Sequence, residues 1–304
     1  MPRELVECVP NFSEGRNAAS VEAIAEAIRS APGVIVLDRT MDADHNRSVI
    51  TFAGPPEAVA EAALRGVGQA VELIDLNRHV GVHPRIGAAD VVPFVPMEGV
   101  TLEDCVRIAE QVGEEIWRRF QVPVYMYEAA RRRPDRADLA IVRRGQFEAL
   151  HDAVESDPGR RPDIGAARLH PTAGATAVGA RKFLIAYNIN LATPDLDVAD
   201  SIARRIRRSS GGFPFVKAMG VLLASRGLAQ VSMNLTDFEQ IPVDCVFEAV
   251  EAEAARRGVR VGSSEIVGLI PAKAFDMAPE FYQRAANFTS DLLIENRLAA
   301  LESK

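Results

Sequence analysis

The chain has 304 residues, of which 48% are hydrophobic and 25% charged, with a formal net charge of −7. This composition predicts a globular protein of one large or two medium domains. The acidic balance disfavours nucleic acid as the main partner, because nucleic-acid binding needs a basic surface. Because the sequence has no apolar run of transmembrane length, no signal region and no CxxC pair, we expect a soluble cytoplasmic protein without a membrane partner.

The first half of the chain predicts elements in the order β-α-β-β-α-β. The first helix has apolar residues at helical spacing (Val21, Ile24, Ala25 and Ile28). Pro55-Pro56 opens the second helix, whose apolar stripe runs from Val59 to Ile74. Thr101 is predicted to cap a third helix through a Thr-x-x-Asp box. The predicted strands cover 5–9, 34–37, 48–52, 91–95 and 122–127, and a turn is predicted at 11–15.

The second half repeats this order at an offset of about 175 residues. Strands are predicted at 183–188, 217–223, 229–235 and 265–270, and helices at 198–207 and 243–255. The fold class is therefore α+β, an α/β sandwich of two split β-α-β, ferredoxin-like units side by side. Charge runs at 131–136 and 157–162 predict a solvated connector. A small-molecule site is expected in the crevice between the units.

The most informative segment joins the second helix to the strand at 91–95 and contains two histidines. Pro84 disfavours helical geometry for His83 and holds its imidazole in an extended loop. An imidazole can accept and return a proton near neutral pH, although an ordinary loop histidine gives the same pattern. His79 lies four residues earlier, a zinc spacing on a helix, but Gly81 and Pro84 break that helix. We expect no metal here.

Two other segments resemble binding motifs without completing them. The loop from Asp42 to Arg47 begins like a calcium loop but lacks the glycine at its sixth position and the glutamate at its twelfth. It remains a polar loop, for which turn chemistry is the simplest explanation. Segment 174–182 has the glycine spacing of a phosphate loop, but Ala180 and Arg181 replace the Lys-Ser/Thr pair. Nucleotide binding is therefore poorly supported.

Two asparagines share one face of the predicted strand that begins at residue 183. Asn188 and Asn190 alternate with Tyr187, Ile189 and Leu191. Because asparagine is disfavoured in strands, this face indicates a wet or ligand-lined surface or, equally, an ordinary polar face.

Six segments together resemble the glutamate formiminotransferase family, the N-terminal enzyme of formiminotransferase–cyclodeaminase. They are LVECVPNFSEG (5–15), DHNR (44–47), HPRIG (83–87), PVYMY (123–127), GARKFLIAYNINL (179–191) and QVSMNL (230–235). The resemblance extends from residue 5 to about residue 271, with the segments in order. It implies transfer of a formimino group, a one-carbon unit, from N-formiminoglutamate to N5 of tetrahydrofolate in histidine breakdown.

The resemblance also implies an architecture and a set of site residues. The family fold is two ferredoxin-like subdomains, here 1–178 and 179–304, flanking a ligand tunnel in a homodimer. The catalytic histidine of the family falls on His83, and a separate cyclodeaminase is a possible partner. Tetrahydrofolate is the co-substrate. The folate-binding segment of the family falls on Gly165, Ala166, Ala167, Arg168, Leu169, His170, Pro171, Thr172, Ala173 and Gly174.

Further substrate-binding candidates follow from residue type and position. Asp44 could stabilise a cationic tetrahedral intermediate. Arg47, Arg85, Arg181 and Lys182 are candidates for the glutamate carboxylates, since a guanidinium fork suits a carboxylate. Asn46, Asn188 and Asn190 complete the predicted set.

The chain departs from the family pattern beside the predicted catalytic histidine. Val80 and Val82 replace a lysine and a glutamate that are common in the family, and Thr40 stands where an acidic residue is common. Loss of a neighbouring carboxylate is expected to lower the pKa of His83. These changes leave two alternatives open: a formyl rather than formimino donor, or a non-catalytic folate-binding protein.

Overall fold

The computed structural model describes residues 3–43, 45–224 and 226–302, which form a mixed α/β protein. The chain separates into two compact units, Met1–Arg181 and Lys182–Lys304. This architecture is consistent with the predicted α+β class. Within the described ranges, no helix combines the length and the apolarity needed to cross a membrane.

The first unit contains seven strands and five α-helices in the described part of the chain. In chain order they are β1 (Leu5–Cys8), β2 (Asn11–Phe12), α1 (Ala18–Arg29), β3 (Ile35–Asp42), β4 (Arg47–Gly54), α2 (Pro56–Leu73), β5 (Ala89–Glu98), α3 (Leu102–Phe120), β6 (Val124–Glu128), α4 (Leu139–Val142), α5 (Gln146–Ala153) and β7 (Thr176–Ala180). The strands form one sheet in which β4 pairs with β3 on one side and with β1 and β2 on the other. Strands β1 and β2 pair in turn with β5, and β7 and β6 follow in parallel.

The parallel strands β5, β7 and β6 are buried on both faces. Side chains such as Phe94, Val178 and Met126 belong to the main core, with α1, α2 and α3. On the other face, Tyr127 and Ala177 pack with Val142 of α4 and with α5. Burial on both faces is typical of parallel strands, which need a cover on each side. The connector therefore covers this second face of the sheet.

Three predictions for this unit were wrong in part. The predicted turn at Asn11 is instead strand β2, because its backbone pairs with both β4 and β5. Strand β7 was missed, since its small residues carry no alternating pattern. The connector is not wholly solvated, because the side chain of Arg136 is buried, pairs with Asp163 and lies 4.8 Å from the ring centroid of Tyr125.

The helix signals were confirmed. Helix α1 buries the four residues that its spacing predicts, Val21, Ile24, Ala25 and Ile28. Helix α3 begins with a capping box, in which the Asp104 backbone N–H donates to Thr101 Oγ1 at 3.1 Å. The Thr101 backbone N–H donates to Asp104 Oδ2 at 2.8 Å. This box satisfies two backbone donors that the first helical turn would otherwise leave unpaired.

The second unit is a four-stranded antiparallel sheet with helices. Its elements are β8 (Ile185–Leu191), α6 (Leu196–Ile206), β9 (Val216–Leu223), β10 (Leu228–Leu235), α7 (Val243–Arg256), β11 (Val261–Val267), α8 (Ala272–Met277), α9 (Pro279–Gln283) and α10 (Ile294–Glu302). The strand order is β11-β8-β10-β9. Tyr187, Ile189 and Leu191 lie in the core with α6 and α7, as the alternation predicts. Strand β11 begins four residues before the predicted strand at 265.

The capping box gives a first testable prediction. Thr101→Ala removes the hydroxyl that accepts from Asp104, and we expect the free energy of unfolding to fall by about 1 kcal/mol. Denaturant unfolding followed by circular dichroism measures this change. Thr101→Ser keeps a hydroxyl and is the matched control. Equal stability of the alanine and serine variants would contradict a stabilising cap.

Candidate functional site

The histidine loop, residues 74–88, runs from the end of α2 to the start of β5 and forms one side of a small cleft. The cleft encloses about 180 Å³, counting its open mouth. Its other walls come from β2 and from the turn between β3 and β4. The lining residues are Asn11, Phe12, Ser13, His45, Asn46, Arg47, His79, His83, Arg85 and Asp90.

Asn46 fixes the histidine loop against the β3–β4 turn. It adopts a left-handed backbone conformation, with φ of 48°. Its Oδ1 accepts from the Gly15 backbone N–H at 2.9 Å, and its Nδ2 donates to the Val80 carbonyl at 3.1 Å. Gly81 follows, and a Cβ there would lie 2.3 Å from the His45 carbonyl oxygen. The Asn46 side chain therefore links the backbone at Gly15 to the backbone of the histidine loop at Val80.

His79 and Arg85 form a second link inside the loop. His79 donates from Nε2 to the Asn46 carbonyl at 2.9 Å, and its Nδ1 accepts from Arg85 Nε at 3.0 Å. Burial, and to a smaller extent the charge of Arg85, lowers the pKa of His79. Both ring nitrogens are therefore engaged by protein groups. Among the described residues, no group of three or more His, Cys, Asp or Glu side chains could hold a metal ion.

The remaining donors of Arg85 reach helix α5. Its Nη1 and Nη2 donate to the two carboxylate oxygens of Glu148 at 2.9 and 2.7 Å, and Nη1 also donates to Gln146 Oε1 at 2.9 Å. A bidentate pair of this kind orients both side chains. The predicted substrate ligand Arg85 is thus committed to the connector in this structure.

His83 is a half-buried imidazole in the cleft. Its ring centroid lies 6.1 Å from that of His45, in an edge-on arrangement. Burial and, next, the positive charges of Arg47 and Arg143 lower the pKa of His83 to about 2. The direction agrees with the sequence-based expectation, but the causes are burial and two guanidinium groups. Val80 and Val82 are both more than 70% exposed.

Two arginines that are far apart in the sequence, Arg47 and Arg143, belong to the surroundings of the cleft. Arg47 begins β4, and its Nη2 donates to Asn11 Oδ1. Burial and the charge of Arg143 lower the pKa of Arg47 to about 10. Arg143 follows α4 and pairs with the buried carboxylate of Asp90. The other oxygen of Asp90 accepts from the Ile86 backbone N–H at 2.7 Å.

Sequence reasoning missed Arg143 and Asp90 as parts of this site. The arginine content of the connector was read as a solvated surface, and no local pattern links position 143 to position 90. Asp90 was visible only as the residue before a hydrophobic strand. A buried carboxylate requires a partner, so this residue alone would have predicted a nearby cation once its burial was known.

The predicted folate segment, 165–174, lies directly against the histidine loop. Leu76 N–H donates to the Thr172 carbonyl at 2.8 Å, and Ala88 N–H donates to the Ala173 carbonyl at 2.9 Å. Gly87 forms a bridge with Gly174. A Cβ on Gly87 would lie 1.9 Å from the Ala175 carbonyl oxygen, so only glycine permits this approach.

A tight turn forms the second half of the folate segment. His170 and Gly174 exchange backbone hydrogen bonds of 2.9 and 3.1 Å. The His170 Nδ1 accepts from the Ala173 backbone N–H at 3.0 Å, and burial lowers the pKa of this histidine. Arg168 is exposed, and its side chain has no partner in the part of the chain that the structure describes. The segment thus presents one available cation near the loop.

Four other predicted binding residues lie at the end of the first unit or in the second unit. Lys182 pairs with Asp237 at 2.7 Å in the second unit. Asn188 and Asn190 lie on the polar face of the second sheet and bond to Glu265 and Ser263, respectively. Arg181 follows β7, and its backbone N–H donates to the Phe94 carbonyl. The remaining prediction, Asp44, lies outside the described residues.

Comparisons with known proteins identify the family. The model of the formiminotransferase domain, N-terminal subdomain, matches residues 5–181. The model of the formiminotransferase domain matches residues 186–300. The chain therefore belongs to the formiminotransferase family, as its resemblance implied.

Curated relatives include stand-alone and longer proteins. The chain is 46% identical to the glutamate formimidoyltransferase of Streptococcus pyogenes over 97% of this chain and 99% of that protein. It is 43% identical to the glutamate formimidoyltransferase of Thermoplasma acidophilum, again over 97% of each chain. It is also 43% identical to the formimidoyltransferase-cyclodeaminase of Mus musculus, covering 92% of this chain but 52% of that protein.

The environment of His83 predicts an uncharged imidazole across the neutral range. The unfolded chain binds a proton at this residue below about pH 6.5, whereas the folded protein does not. The free energy of unfolding should therefore fall as the pH drops, by up to about 1.4 kcal/mol per pH unit from this group. Denaturant unfolding at pH 7 and pH 5 measures the slope, which His83→Gln should reduce. An NMR titration midpoint for His83 at or above about 6.5 would contradict the prediction.

Proposed function

We propose that this protein is a folate-dependent transferase. It moves the formimino group of N-formiminoglutamate to N5 of tetrahydrofolate, giving 5-formiminotetrahydrofolate and glutamate. The observation that carries the proposal is the 46% identity to a named glutamate formimidoyltransferase over nearly the whole of both chains. The placement of His83 in a cleft beside the predicted folate segment supports it. A separate cyclodeaminase is the natural consumer of the product, because the mouse relative carries that second name.

The finer architecture is part of the proposal. We infer that each unit is a ferredoxin-like subdomain, with the first ending near residue 178. Two strand orders support this: β5-β1-β4-β3 in the first unit and β11-β8-β10-β9 in the second. Both place the fourth strand beside the first and the third strand beside the second. The tunnel and the homodimer stay predictions of the family resemblance, and the cytoplasmic location stays a prediction from the sequence composition.

The reaction requires the transfer of one proton from N5 of tetrahydrofolate to the departing nitrogen of glutamate. As N5 of tetrahydrofolate attacks the amidine carbon of the donor, an N–C bond forms and N5 must lose its proton. The C–N bond to glutamate then breaks, and the departing nitrogen must gain a proton. An uncharged His83 can accept the first proton and deliver it to the second nitrogen, a contribution of about 10²–10⁴-fold.

The low pKa of His83 suits this role once the donor is bound. The imidazole is uncharged at neutral pH and therefore ready to act as a base. Glutamate carboxylates near Arg47 would offset the positive charge that disfavours the imidazolium, and so raise the pKa of His83 toward the working pH. Holding the donor and tetrahydrofolate together contributes several kcal/mol more, because the association entropy is lost on binding.

The role of His83 can be tested by single-turnover kinetics. We expect wild-type protein to convert N-formiminoglutamate and tetrahydrofolate to 5-formiminotetrahydrofolate, and His83→Ala to slow this step by about 10²-fold or more. His151→Ala changes an exposed histidine on α5 and is the matched control. Folate binding measured in parallel shows whether the variant still folds and binds.

Two outcomes of this experiment would contradict the proposal. Wild-type protein that binds tetrahydrofolate but transfers only from formylglutamate would show a formyl donor. Wild-type protein that binds tetrahydrofolate and transfers neither group, with an affinity insensitive to His83→Ala, would be a folate-binding protein.

Arg47 is proposed to bind a carboxylate of the donor. We expect Arg47→Ala to raise the KM for N-formiminoglutamate about 10-fold or more, because a charge-assisted hydrogen bond is worth about 1.5–3 kcal/mol. The KM for tetrahydrofolate should change little. Arg29→Ala, on the surface of α1, is the control. An unchanged donor KM in a folded Arg47→Ala protein would exclude this assignment.

A further inference from the structure

The cleft contains a half-buried cation, Arg47, without an acidic hydrogen-bond partner. Among the described residues, Arg47 donates from its side chain only to the neutral amide of Asn11. Its Nε is buried and has no hydrogen-bond partner. Burying a guanidinium in this way is costly, because water no longer solvates the charge. Arg85 differs, since a bidentate contact with Glu148 compensates its charge.

A second guanidinium with spare donors pairs with an acidic residue of the cleft wall. Arg143 pairs with Asp90 through Nη2, and its buried Nε has no hydrogen-bond partner in the described part of the chain. Asp90 lines the same cleft as Arg47 and His83, so its ion pair brings Arg143 to the wall of that cleft. Asp90 uses its other oxygen to hold the histidine loop at Ile86. Arg143 is thus fixed relative to the loop that carries His83.

The chemistry of this pair favours a carboxylate ligand. A planar guanidinium donates in a fork that matches two carboxylate oxygens, and two such groups supply more donors than Asp90 and Asn11 accept. The proposed donor has two carboxylates. Its α-carboxylate is attached to the carbon that also bears the leaving nitrogen. Because His83 must reach that nitrogen, the α-carboxylate is the one that lies beside the imidazole.

We propose that Arg143, together with Arg47, binds the α-carboxylate of the formiminoglutamate donor and so places the leaving nitrogen against His83. This inference rests on the proposed function and adds a substrate-binding residue from the connector. Asp90 acts as a positioning residue, since it orients Arg143 and fixes the histidine loop at the same time. A bound carboxylate also compensates the excess positive charge of the cleft.

The test compares donors in Arg143→Gln, Arg143→Lys and the control Arg144→Gln, which changes the exposed neighbour. The donors are N-formiminoglutamate, N-formimino-4-aminobutyrate, which lacks the α-carboxylate, and N-formimino-2-aminobutyrate, which lacks the γ-carboxylate. We expect Arg143→Gln to lower kcat/KM about 10- to 100-fold for the two donors that keep the α-carboxylate. The donor without it should be slow with wild-type protein and nearly insensitive to the substitution. The KM for tetrahydrofolate should stay within about twofold.

Three results would overturn the inference. An equal loss on all three donors would assign Arg143 to a structural pair with Asp90. A loss that follows the γ-carboxylate would place the other end of the donor at this pair. Unchanged kinetics in Arg143→Gln would remove Arg143 from the site.

Arg143→Lys keeps the charge pair with Asp90 and guards against a folding defect in the glutamine variant. Its loss of kcat/KM should again be confined to donors that keep the α-carboxylate. The loss should be smaller than in Arg143→Gln, because lysine keeps the charge but lacks the fork. If wild-type protein transfers no formimino group, the proposed function fails. Calorimetry with glutamate and with 4-aminobutyrate then decides the inference separately. If the protein binds glutamate but not 4-aminobutyrate, and Arg143→Gln abolishes that binding, the inference is supported. Any other pattern overturns it.

Discussion

The close approach of the histidine loop to the predicted folate segment is the constraint on which the candidate site depends. Gly87 allows it, because a side chain at that position would collide with the Ala175 carbonyl. The resulting backbone hydrogen bonds tie residues 76 and 88 to residues 172 and 173. Two segments almost 90 positions apart thereby become a single surface, and the loop that carries His83 is held at both ends. Asn46 fixes its middle from the other side.

The second property of this surface is its positive charge. Arg47 and Arg85 line the cleft and Arg143 reaches it through Asp90, and few acidic side chains compensate their charges. Glu148 compensates Arg85 and Asp90 compensates Arg143, whereas Arg47 hydrogen-bonds to a neutral amide. Burial and the positive charges of Arg47 and Arg143 lower the pKa of His83, and the same two charges make the cleft favourable for an anion. A protein of net charge −7 thus contains a locally basic cleft.

The roles of several predicted residues changed once their contacts were known. Arg85 and Asn46 match a substrate-binding pattern by residue type, yet the side chains of both donate hydrogen bonds to neighbouring protein groups. Asn188 and Asn190 share one strand face as predicted, and their amides bond within the second sheet. Residue type identifies groups able to bind a ligand. It does not tell which of them the fold has already used.

The sequence by itself determined the five longest helices (α1, α2, α3, α6 and α7), most strands and the family. Periodicity reports which face of an element is buried, as in α1, and motifs such as HPRIG depend on local order alone. It also singled out His83. Only the tertiary structure revealed β2, β7 and the pair of Arg143 with Asp90. Their existence depends on backbone pairing and charge contacts between positions far apart in the chain, and such contacts leave no periodic signal in the sequence.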